Sequence, residues 1–134
     1  NALERVQRHF TERILCLANL SYPERIAALD LEPSELRRLK SDLVLYYKCL
    51  HDLVALPSSV YFVMSNSISQ TRSGGNKFVR PVCSSKLYEN DFFNRCLSCW
   101  NFLPPSVVNA NSISCFKRLL SNVDLSSFTH CTYF

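Results

Sequence analysis

The sequence predicts a mainly α fold carrying one small β element and a mobile basic loop. Three observations predict it. Apolar residues return every three or four positions through the first and last thirds of the chain, which is the period of a helix face. The β-prone stretches are short: Val60-Tyr61-Phe62-Val63-Met64, and Lys77-Phe78-Val79-Arg80, with which it could pair. The only two glycines, Gly74 and Gly75, fall in a Ser- and Asn-rich segment from Ser65 to Asn76 that reads as a loop.

The first helix is read from Leu3, Val6, Phe10, Ile14 and Leu17, an apolar stripe expected to fade by Asn19 and to face inward, or, over Leu3, Val6, Phe10 and Ile14, to pack on helices outside this chain. Glu4, Arg5, Arg8 and Glu12 would form its wet face, with Glu4 and Arg8 in the favourable i,i+4 order. Ser21-Tyr22-Pro23-Glu24 has the pattern of a capping box, and Pro23 falls in the first turn, where its missing N–H costs nothing. A short helix to about Leu29 follows, and Asp30 to Ser34 resets the chain.

The third helix is the longest. Leu36, Leu39, Leu43, Tyr47, Leu50 and Val54 give its apolar face, Tyr46 and Tyr47 an aromatic middle, and Pro57 its end. Near the C-terminus, Phe92, Cys96, Cys99 or Trp100, and Leu103 share one helix face until Pro104-Pro105. Ile113, Phe116, Leu119 and Leu120 mark a last short helix started by Asn111 or Ser112. From Leu125 to Phe134 no period is visible, and there is no internal repeat.

A chain of 134 residues is one domain's worth. No run approaches the ~18 apolar residues of a membrane helix, so no membrane partner is expected. The chain opens on Asn1 followed by charged residues rather than an apolar leader, and is expected to start mid-polypeptide or after processing. Its seven cysteines are odd in number and mostly dispersed. They read as reduced thiols of an intracellular protein, in cytoplasm and nucleus, rather than as a disulfide framework.

The formal net charge of +4 permits a nucleic-acid partner without demanding one. Residues 1–48 hold eight basic and seven acidic side chains, whereas Arg72, Lys77, Arg80 and Lys86 lie in a stretch with no acid. Those four are the first candidates to meet phosphates, with Tyr61, Phe78 or Tyr88 nearby to stack on bases. Arg5, His9 and Arg13, at i, i+4 and i+8, could track a backbone along the first helix.

Catalytic signatures are missing. Asp30, Asp42, Asp52, Asp91 and Asp124 are scattered, where two-metal phosphoryl transfer needs converging carboxylates. One Gly-Gly makes neither a phosphate loop nor a dinucleotide fingerprint. Cys96-x-x-Cys99 has half the spacing of a zinc site, and His130 with Cys131 would have to complete it, but adjacent ligands strain a tetrahedral cage. On a helix both thiols point with Phe92 and Trp100 into the apolar face, where cysteine behaves as a small hydrophobe. Core packing is the favoured role for both, and no metal or other cofactor is expected.

Several stretches in order carry a resemblance. They are Leu3 to Thr11, Leu20 to Arg25, Leu36-Arg37-Arg38-Leu39 with Leu43 and Tyr47-Lys48, and Thr71-Arg72. The tail adds Phe92-Phe93-Asn94-Arg95, then Trp100-Asn101-Phe102-Leu103-Pro104, then Phe116-Lys117-Arg118-Leu119-Leu120. Together, over about residues 1 to 120, they resemble the C-terminal, thumb-end and post-thumb region of a jockey-related non-LTR retrotransposon reverse transcriptase. Ser73-Gly74-Gly75 interrupts the family's Thr-Arg-Gly stretch, and Cys96 and Cys99 stand where the family has aliphatic residues.

That resemblance implies a helical thumb-like bundle in one compact unit: 1–57 the thumb-end region, 58–90 the β-prone and basic loop region, 91–134 the C-terminal helical region. It implies a palm upstream in the same polypeptide, an RNA-directed DNA polymerase, with no catalytic residue in this chain. The implied partners are the RNA template and the primer–template duplex. Arg5, Arg8, Arg13, Arg37 and Arg38 become candidate contacts beside Arg72, Lys77, Arg80 and Lys86. The alternative is a helical protein-interaction module or a non-functional relic of a transposable element.

Overall fold

The computed structural model describes residues 2–62, 77–82 and 84–129. The fold is mainly α, and among the described residues there is no sheet. Contacts group the chain into two compact units, residues 1–38 and residues 39–134. The loop expected over Ser65 to Asn76, and with it Arg72, lies outside the described residues, as do Val63, Met64, His130 and Cys131.

Residues 1–38 hold α1 (Ala2–Glu12), α2 (Tyr22–Ala28) and the first turn of α3 (Ser34–Leu50). Glu24 caps α2 from below as expected, accepting from the Ser21 N–H at 2.7 Å and the Ser21 hydroxyl at 2.6 Å. The end of α2 is a left-handed Asp30, φ 50°, with the Leu31 N–H reaching back to the Ile26 carbonyl at 3.0 Å. A chain whose two glycines are both elsewhere uses aspartate here, since Asp and Asn tolerate this conformation best among non-glycine residues.

Two expectations for α1 need correction. The helix stops at Glu12 rather than near Asn19, and residues 13–20 continue only as turns. At that end the Thr11 hydroxyl competes with helical bonding: it donates back to the Arg8 carbonyl at 2.9 Å and accepts from Arg25 Nε at 3.2 Å. The guanidinium also donates to the Leu20 carbonyl at 2.6 Å and to Glu12 Oε1 at 3.3 Å, which holds the turns closed over it.

The second correction concerns which face is covered. The inward reading of Leu3, Val6 and Phe10 does not hold, since they are 54, 67 and 68% exposed. The polar side of α1 faces its neighbours instead. Glu4 accepts from the Tyr22 hydroxyl and from the Ser34 hydroxyl and N–H, Gln7 accepts from Arg37, and the Arg8 guanidinium lies 4.8 Å over the Tyr22 ring. Thr11 is buried beside Arg25.

The Glu4–Tyr22–Ser34 junction makes stability depend on pH from two sides. Burial opposes ionisation of Glu4, but the hydrogen bonds from Ser34 and Tyr22 outweigh it and hold the carboxyl below its ordinary 4.5. Burial, then the bond to Glu4, pushes the Tyr22 hydroxyl from 10.0 up to about 12. Glu4 therefore contributes fully above its ordinary value, and the contribution is lost as pH falls through the lowered one. Tyr22 contributes fully below pH 10, and its part is lost as pH rises toward about 12. Thermal unfolding followed by circular dichroism should lose Tm at both limits. Glu4→Gln should flatten the acid limb; an acid limb as steep as in the parent would contradict the assignment.

Residues 39–134 are built on the rest of α3. Leu39, Leu43, Tyr46, Tyr47 and Cys49 are buried, while Leu36 and Leu50 are half-buried. The helix ends at Leu50, seven residues before the expected Pro57, because Asp52 turns left-handed at φ 51° and the Leu53 N–H closes onto the Lys48 carbonyl at 2.9 Å. Val60 and Tyr61, expected in a strand, instead finish the single-turn α4 (Ser58–Tyr61) opened by Pro57. Local i+4 bonding prevails over β propensity where no partner strand lies alongside among the described residues.

Of the second expected strand, Phe78 is the residue in a β bridge among the described residues. Its backbone is held by a side chain: the Phe78 N–H donates to Asn101 Oδ1 at 3.1 Å, and Asn101 Nδ2 donates to the Phe78 carbonyl at 3.0 Å. One amide thus does for Phe78 what a neighbouring strand would do.

Then come α5 (Lys86–Glu89), α6 (Phe92–Phe102), α7 (Pro105–Val108), α8 (Ile113–Ser121) and α9 (Ser126–Thr129). Ser85, Asp91 and Ser112 cap α5, α6 and α8 by accepting from backbone N–H groups. Pro105 opens α7 rather than only ending α6, since proline suits a first helical turn. The face expected for α6 is the buried one: Cys96, Cys99, Trp100 and Leu103 all lie in the core.

Tyr46 centres that core, with Phe62 edge-on at 4.8 Å and Trp100 at 4.9 Å between ring centroids. Tyr47 stacks on Phe116 at 4.5 Å and donates its hydroxyl to the Ala110 carbonyl at 2.7 Å. Arg95 pairs with Asp42 at 3.1 Å, tying α6 to α3.

Candidate nucleic-acid interface

The nine basic candidates divide between the two units. Arg5 and Arg8 stand on α1, Arg37 and Arg38 on the first turn of α3, and all are exposed. Arg13 lies past the end of α1, so the i, i+4, i+8 line through Arg5 and His9 breaks before reaching it. The side chains of Arg5 and Arg13 have no hydrogen-bond or ion-pair partner among the described residues, whereas Arg37 donates to Gln7 at 2.7 Å. Arg72 lies outside the described residues.

Lys77, Arg80 and Lys86 belong to residues 39–134, all exposed. Arg80 is bound at 2.8 Å to Glu89, and both partners are half exposed, so water screens the pair and leaves it weak. Lys77 and Lys86 have no acidic partner among the described residues. The segment 77–82 and α5 that carry these cations also build the walls of a cleft.

That cleft is an open cavity of about 460 Å³ lined by Val60 and Tyr61 of α4, Phe78, Val79 and Pro81 of the segment, Tyr88 of α5, and Asp91, Phe93, Asn94 and Leu97 around α6, with Tyr46 at its base. All three aromatics expected to stack line it, but with different freedom. Tyr61 and Tyr88 are 43 and 48% exposed; Phe78 is buried, 5.2 Å from Phe62 and 6.3 Å from Tyr46. Phe78 is a packing residue, its ring enclosed by Phe62 and Tyr46 and its backbone clamped by Asn101.

Phe93 is the partner the sequence did not single out. Its ring lies flat beneath Tyr61, with centroids 4.3 Å apart and planes 14° from parallel. Phe62 and Phe92 brace it edge-on at 5.6 and 5.1 Å. Tyr88 is pinned by its backbone: its N–H donates to Ser85 Oγ at 3.2 Å, and its carbonyl accepts from the buried Asn94 at 2.7 Å. Asp91 Oδ2 accepts from the Phe93 N–H at 3.2 Å, so the carboxylate that lines the cleft also caps α6.

Cys96 and Cys99 sit in the core behind this site rather than in it. Burial pushes both thiols up to about 12, with Asp42 adding to the effect on Cys96. A thiol held neutral and enclosed is a packing group. Among the described residues, no three His, Cys, Asp or Glu side chains group as metal ligands would. Trp100 is likewise core, 1% exposed, and its indole N–H meets no acceptor among the described residues.

Sequence reading missed Arg25 and Arg95, which look like surface cations until their partners are placed. The only hint lies in their positions, inside the Ser21 capping turn and on the apolar C-terminal helix. No family model, curated protein or solved structure matches the chain.

Proposed function

We propose that this chain is a noncatalytic nucleic-acid-binding module, the thumb-end and post-thumb part of a non-LTR retrotransposon reverse transcriptase whose palm lies upstream in the same polypeptide. Its task is to hold RNA template and primer–template while the palm carries out synthesis. The observation that carries the reading is the cleft of residues 39–134. Two half-exposed tyrosines face one cavity, and Lys77, Arg80 and Lys86 sit on the segments that wall it. Aromatic faces for bases beside cations for phosphates is the composition of a nucleic-acid groove. No helix among the described residues is long and apolar enough to cross a membrane.

Three phosphate contacts set the expected salt response. Binding of a labelled single strand should weaken with a log–log slope of at least about −2 against salt, from roughly 0.7 per contact. Changing Lys77, Arg80 and Lys86 together to alanine should remove about 2 from that slope and leave thermal stability unchanged. Absence of binding to RNA or primer–template at low salt would sink the reading.

A second reading, a helical protein-interaction module, is favoured by the exposed Leu3, Val6 and Phe10 stripe. Under the first reading the same stripe is where the rest of the polymerase packs. The two part on RNA binding, which only the first requires.

A further inference from the structure

We infer that the cleft takes an unpaired base of a single-stranded nucleic acid, stacked on Tyr61 with Tyr88 as the second exposed ring of the lining, and does not hold duplex. The inference rests on the nucleic-acid reading above and names the form of nucleic acid that this site accepts. It follows from how the aromatic rings are held. Phe93 covers one side of Tyr61 at 4.3 Å and 14°, and Phe93 is itself braced by Phe62 and Phe92. Tyr61 is thus fixed in one plane while 43% of it stays in contact with solvent. A ring that is already immobilised loses little freedom when a base lies on it.

Tyr88, the second exposed ring of the lining, is anchored through its backbone. Tyr88 is held through both its N–H and its carbonyl, by Ser85 and Asn94, and is 48% exposed. The cavity of about 460 Å³ falls within the ~300–1,000 Å³ usual for small-molecule sites, which accommodates a nucleotide but not a helix. Bases in a duplex are stacked on one another and present only their edges, whereas an unpaired base offers its face.

Charge orients the strand. Among the described residues Asp91 is the one carboxylate lining the cavity, and it repels phosphate from the interior. Lys77, Arg80 and Lys86 belong to the segments that wall the cavity but none of them lines it, and Arg80 faces a second cavity with Glu89, so the phosphates they would meet lie outside the cleft. Base inward and phosphate outward is the arrangement that suits both signs.

The test uses the 134-residue chain and fluorescence anisotropy with an unstructured oligonucleotide of about 12 nucleotides, alone and annealed to its complement; that length spans one typical binding groove. Single strand should bind at least about 10-fold tighter than duplex. Tyr61→Ala and Tyr88→Ala should each weaken single-strand binding by about 10-fold, the order expected for one lost stacking contact, with duplex binding unchanged. Tyr61→Phe and Tyr88→Phe keep the ring and should keep the affinity. On the unaltered protein, bound single strand should also shield both tyrosines from nitration, which needs no variant to fold. Equal affinity for duplex, or tyrosines nitrated at the same rate with and without strand, overturns the inference while leaving nucleic-acid binding intact. Binding of neither form at low salt removes the reading beneath it as well.

Discussion

Replacing Trp100 with alanine should destabilise residues 39–134 by about 3–5 kcal/mol, the range for deleting a large buried aromatic. Trp100 is 1% exposed, 4.9 Å from Tyr46 and 5.8 Å from Phe116 between ring centroids, so its loss opens a cavity between α3, α6 and α8. Those rings are fixed in turn by Phe62 and Tyr47, which limits how far the core can collapse into the gap. Trp100→Phe should behave quite differently. The indole N–H is buried with no acceptor among the described residues, so phenylalanine removes an unsatisfied donor together with part of the ring area. The expected cost is about 1–2 kcal/mol, below that of alanine because the cavity left is smaller. Urea unfolding followed by circular dichroism measures both. If the phenylalanine variant were as unstable as the alanine one, the N–H would have a partner that matters.

Arg25→Ala should open residues 1–38 by about 3 kcal/mol. The guanidinium is buried and serves Thr11, Glu12 and the Leu20 carbonyl at once, so truncation strands acceptors on both α1 and the turns after it. Little of this comes from the ion pair, because Glu12 is half exposed and its charge is screened. Arg25→Lys should therefore recover only part of the loss: the charge returns, but a single ammonium cannot span three acceptors. Amide hydrogen exchange reads the effect locally. Protection in α1 and α2 should fall by about 100-fold in the alanine variant, while α6 and α8 keep theirs. A uniform change across both units would mean that Arg25 stabilises something other than this junction.

The outcome for α1 shows where sequence reasoning stops. Leu3, Val6 and Phe10 were read correctly as one face, because 3.6-residue periodicity decides which side chains point together. Whether that face is covered depends on what lies opposite, and in this chain the neighbours of α1 offer Tyr22, Ser34, Arg37 and Arg25. Four polar groups satisfy a polar face, so the helix turns its other side outward. At α6 the same kind of stripe is buried, because α3 and α8 bring Tyr46 and Phe116 to meet it.

Much was legible from local rules alone. The capping turn at Ser21, the Ser112 start of α8, the Pro104 stop of α6 and the grouping of its cysteines on one face all follow from interactions within four residues along the chain. So does the helical class. Tertiary structure alone decided the rest. It turned Asn101 into a substitute strand for Phe78, sank Arg25 and Arg95 onto acceptors 14 and 53 positions away, and set Phe93 beneath Tyr61. The physical reason is the same in each case. Periodicity and caps act through neighbours in sequence, whereas a long polar side chain or an aromatic face takes its role from whichever distant group the packing brings within reach.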